Sequence, residues 1–86
     1  MNTEPLMEAV IEAIAFLALS EDQYVQPDVA VSQLEQLASV LGKLNLQERK
    51  ALADYANQLA KKEALASGRT QRVEFLEAFM RNLGLE

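Results

Sequence analysis

Glu8 and Glu12, one helical turn apart in this 86-residue sequence, form a carboxylate pair whose spacing could share a cation or a proton. A di-metal helical bundle would add Glu-x-x-His motifs from partner helices, and the chain has no histidine. It also has no cysteine, which removes imidazole acid–base chemistry, thiol nucleophiles and zinc sites together. What remains for catalysis is Asp, Glu, Lys, Tyr and Ser in no nucleophile–base pattern. The expectation is therefore a protein that is not an enzyme, with no cofactor and no metal. Glu8 and Glu12 are then the solvated edge of a helix, or partners for bases elsewhere.

Gly68-Arg69-Thr70-Gln71-Arg72 sets two guanidinium groups beside the start of a helix, where backbone N–H groups suit an anion. With one glycine and no phosphate-loop spacing it reads as a helix junction. Arg49-Lys50 and Lys61-Lys62 are interleaved with Glu48, Asp54 and Glu63, and the pI is about 4.7. Nucleic-acid binders carry a clustered basic footprint, so a regulator using Arg49, Lys50, Arg69 and Arg72 is the alternative reading, alongside an accessory subunit of a larger complex.

Charge is segregated along the chain. Residues 1–42 hold seven acids and no base, net −7; residues 43–86 hold six acids and all eight bases, net +2, which together give −5. The segment Glu21-Asp22-Gln23-Tyr24-Val25-Gln26-Pro27-Asp28 concentrates three carboxylates around one tyrosine. An acidic rim with an aromatic anchor suits a basic protein partner, so Glu21, Asp22, Tyr24 and Asp28 are the candidate partner-binding residues.

The elements that must position these groups are helices. Half the residues are hydrophobic, with only three glycines and two prolines, which excludes disorder and leaves few breaks. The expected fold is all-α: a compact four-helix single domain over residues 1–86. A basic n-region is missing from residues 1–5, and the apolar run of the first helix is interrupted by Glu8 and Glu12; a soluble cytoplasmic protein without membrane contact is expected.

The first helix, residues 4–19, carries Thr3 at its N-cap and Pro5 in its first turn. Its apolar arc spans roughly 220°, against about 100° for an ordinary surface helix. That excess predicts a central helix, with Val10 and Leu17 mid-arc, and a homodimer covering Met7, Ile11, Ile14 and Ala18. Residues 20–27 read as a loop opened by a Ser20–Gln23 capping pattern. The second helix, from Pro27 or Asp28 to residue 41, ends at Gly42 in a left-handed cap. Asn45 with Glu48 forms a capping box for the third, residues 46–66, expected to lie antiparallel to the second. Ser67-Gly68 stops it, Thr70 caps a fourth over residues 71–83, and Gly84 with Leu85 closes the chain in a Schellman turn.

The functional expectation is non-catalytic protein binding. Size, helical class and acidity suit a small acidic immunity protein or antitoxin that inhibits a basic enzyme, an analogy of size and charge alone.

Overall fold

The computed structural model describes residues 3–20 and 25–85. Its described elements are all helical: α1 (Glu4–Leu19), α2 (Pro27–Leu41), α3 (Leu46–Ser67), α4 (Gln71–Glu77) and the four-residue α5 (Phe79–Asn82). The chain divides into two units, residues 1–43 and 44–86. Gly42 to Asn45, expected to be a hairpin loop, is the link between them in sequence. Within the units the paired helices are α1 with α2 and α3 with α4.

In the first unit each helix begins on a proline-bearing turn, Pro5 for α1 and Pro27 for α2. At these positions a missing N–H leaves no bond unmade. Thr3 occupies the N-cap of α1, but its side chain caps nothing; only its carbonyl takes part, accepting from the Met7 N–H at 3.0 Å. At the other end the hydroxyl and N–H of Ser20 both donate to the Phe16 carbonyl. Ser20 thus closes the C-terminus of α1, whatever follows it; Glu21 to Tyr24, and with them the expected Ser20–Gln23 cap, lie outside the described residues.

The buried stripe of α1 is Ile11, Ile14 and Ala15. Val10 and Leu17, expected at the centre of the apolar arc, are only half-buried. The centre of burial is rotated toward Ala15, because α2 offers a narrow apolar edge of Ala30 with half-buried Leu34, Leu37 and Leu41. One neighbour of that width covers one side of α1. Ser32, Gln33, Glu35, Gln36 and Ser39 are exposed, as their spacing requires.

Gly42 differs from expectation. Its φ of −61° is right-handed, and the helix ends by tightening, with Gly42 N–H donating to Ala38 O and Lys43 N–H to Val40 O. Such i→i+3 closure satisfies the last carbonyls without a left-handed residue.

The second unit has side-chain caps at the starts of α3 and α4. Asn45 accepts from the Glu48 N–H at 2.8 Å while the Glu48 carboxylate accepts from the Asn45 N–H at 2.9 Å, the reciprocal box. Thr70 accepts from the Val73 N–H at 3.1 Å and opens α4. Gly68 takes φ +76° and ψ −161°, a region almost confined to glycine. At the C-terminus Gly84 (φ +70°) lets Leu85 N–H reach Met80 O at 2.8 Å and Gly84 N–H reach Arg81 O at 3.1 Å. These two bonds are the Schellman pattern, and they fold Leu85 into the core at 5% exposure.

The expected fourth helix is broken at Ala78, which adopts φ −107° and ψ 19°. Its N–H is shared between the Glu74 and Phe75 carbonyls, a local tightening with neither glycine nor proline in the sequence to announce it. Phe75 and Phe79 face each other edge-on across the break, with centroids 5.9 Å apart. The core formed here is Leu52, Ala56 and Ala60 of α3 under Val73, Leu76, Phe79, Met80 and Leu85.

Candidate functional site

The acidic half of the sequence becomes an acidic surface. Glu4, Glu8 and Glu12 on α1, and Asp28 and Glu35 on α2, are all exposed. Asp28 stands in the first turn of α2, where a carboxylate is favoured by the N–H groups of the helix start. It is the one predicted partner-binding residue among those described; Glu21, Asp22 and Tyr24 lie outside them. The unit containing these acids, residues 1–43, holds Lys43 as its single base and carries a net charge of −6.

Of the four residues expected at a self-association surface, Ile11 and Ile14 have 0% exposure and so no surface to offer a second copy. Met7 is half-buried and Ala18 exposed. The other exposed apolar side chains of α1 are Leu6, Ala9, Ala13 and Phe16. Their sequence signal was the width of the apolar arc. What the arc could not show was which part of it α2 would cover.

Three basic residues of the second unit are engaged by its own carboxylates. Arg69 donates to both oxygens of Glu77 at 2.9 and 2.7 Å, the bidentate geometry that suits a guanidinium. This hydrogen bonding holds the Glu77 carboxyl below its ordinary range and raises Arg69 above its own. The Arg72 Nε lies 2.8 Å from Glu63, tying α4 to α3 in a half-buried pair. Lys50 meets Asp54 at 3.4 Å along α3, and the Arg49 Nε donates to the Leu44 carbonyl at 3.1 Å. Of the four residues of the alternative basic face, Lys50, Arg69 and Arg72 therefore each meet a carboxylate.

Between α3 and the α4–α5 segment lies an open recess of about 250 Å³. Ala53 and Ala56 form one wall and Phe79, Met80 and Leu85 the other. The volume lies just under the usual range for small-molecule sites, and the recess presents no nucleophile or base beyond side chains already paired.

Among the described residues no group of three or more His, Cys, Asp or Glu could hold a metal ion, and no helix is long and apolar enough to cross a membrane. No protein-family model, curated protein or solved structure matches this chain.

Proposed function

We propose that this chain is a non-catalytic binding protein whose N-terminal unit engages a basic protein partner. The observation that carries the reading is the concentration of net charge −6 in residues 1–43, with every described carboxylate of that unit exposed. A potential of one sign over a small surface raises the encounter rate with oppositely charged partners and repels others. The second unit supports the same reading from the opposite side. Three of its cations, Arg72, Arg69 and Lys50, are paired with Glu63, Glu77 and Asp54, an arrangement that favours a capped support over a nucleic-acid surface. Inhibition of a basic enzyme, as by a small acidic immunity protein or antitoxin, is the form of activity that fits best.

The test begins with affinity capture from the native host, followed by surface plasmon resonance on the purified partner. Replacing Glu21, Asp22 and Asp28 together with Gln, Asn and Asn should weaken binding at low salt and leave the fold unchanged. A partner bound equally well by the parent and the triple variant at low salt would contradict the reading.

A further inference from the structure

Helix α1 is apolar on two opposite sides, and one of them has no cover within its own unit. At 100° per residue, Leu6, Ala9, Ala13 and Phe16 fall within about 80° of arc, on the far side of the helix from Ile11, Ile14 and Ala15. All four are exposed, Leu6 and Phe16 at 59% each. The spacing i, i+3, i+7, i+10 is the register in which one helix meets another, and the stripe is about 15 Å long, three turns. Glu8 and Glu12 border it on one side and half-buried Val10 and Leu17 on the other. The stripe is thus an apolar strip with a carboxylate edge.

That edge decides the occupant. A second copy would bring another unit of net −6 to a border already lined with glutamates, so like charge opposes the pairing. A helix with an apolar face and flanking Lys or Arg satisfies both parts of the surface at once. We infer that the Leu6–Ala9–Ala13–Phe16 face of α1 docks an amphipathic basic helix of the partner protein, its cations meeting Glu8 and Glu12. The inference rests on the acidic-binding reading above and names the surface and the partner element. Helix-on-helix docking of this kind draws its affinity from a few large anchors. Phe16 and Leu6 are those anchors, and Ala9 and Ala13 permit close approach between them.

The experiment uses the full chain and a fluorescein-labelled synthetic helix of leucine, alanine and lysine, with a second peptide in which glutamate replaces lysine. Fluorescence anisotropy is followed at low and high ionic strength. The lysine peptide should bind, salt should weaken it, and Leu6→Gln/Phe16→Gln should weaken it about tenfold or more. Both positions are exposed, so the melt followed by circular dichroism should match the parent. Ala13→Lys, which sets a cation in the stripe on a good helix former, provides a second variant with the same expected loss. Equal binding of the glutamate peptide would overturn the inference. So would a parent dimer in sedimentation that Leu6→Gln/Phe16→Gln dissociates, since the occupant would then be a second copy. Lysine-peptide binding that salt weakens but both variants leave unchanged would overturn the docking face while the acidic reading stood. Binding that the variants weaken and salt does not touch would remove the charge complementarity on which both rest.

Discussion

The two units of this chain are equal in length and differ in how they use their charge. Residues 44–86 carry seven bases and six acids, and Lys50–Asp54, Arg72–Glu63 and Arg69–Glu77 set several of them against one another. Residues 1–43 carry seven acids and one base. Their cores differ in the same sense. Among the described residues the second unit buries an aromatic ring, three leucines, a methionine, a valine and two alanines. The first buries Ile11, Ile14 and two alanines, and exposes Leu6 and Phe16. The second unit thus builds the larger core and pairs several of its charges, while leaving Leu46 and Leu65 exposed; the first has the smaller core and a surface excess of acids. A unit that keeps charge and apolar area at its surface gives up stability that binding can restore.

The largest expected effect follows from the cores. Phe79 is 1% exposed and bridges α3 to the closing turn, so Phe79→Ala should cost about 3–5 kcal/mol. Ile14→Ala removes fewer buried atoms and should cost about 2–4 kcal/mol. Urea denaturation of both variants compares them; a larger loss at Ile14 would reverse the ranking of the two cores.

Gly68→Ala isolates backbone from packing. An added Cβ would meet nothing within 4 Å, so the whole cost is the φ +76°, ψ −161° conformation, about 1–3 kcal/mol. An unchanged midpoint in the same denaturation would mean that the junction of α3 and α4 relaxes freely and is not a rigid corner.

The smallest effect is electrostatic. The hydrogen bonds from Arg69 hold the Glu77 carboxyl below its ordinary value, so the pair stabilises the fold above the unfolded carboxylate range and ceases to as pH falls through the lowered value. Glu77→Gln should therefore melt slightly below the parent near neutrality, and the gap should close in acid. The pair is exposed, so the gap is small. A gap that widens in acid would contradict the assignment.

Much of this architecture was legible in residues that act locally. Pro5 and Pro27 in first turns, the Asn45–Glu48 box, Thr70, Gly68 and the Gly84–Leu85 turn each fix a helix end through bonds within a few residues, and each appears where its chemistry requires. The break at Ala78 was not legible, because no proline or glycine marks it and the shared N–H is a product of packing. Gly42 misled for the complementary reason: glycine permits a left-handed cap without requiring one. For the site, the acids of residues 1–43 were plain in sequence, while the α1 stripe was not. Sequence shows that a helix is apolar over a wide arc, and only its neighbour determines which part stays open.

The central claim is that the N-terminal unit binds through charge-steered encounter and apolar anchoring. It is tested most directly by measuring association and dissociation rates with the captured partner as ionic strength is raised. The account predicts an on-rate that falls steeply while the off-rate barely moves, since salt screens approach more than it loosens contacts already made. An on-rate indifferent to salt would contradict it.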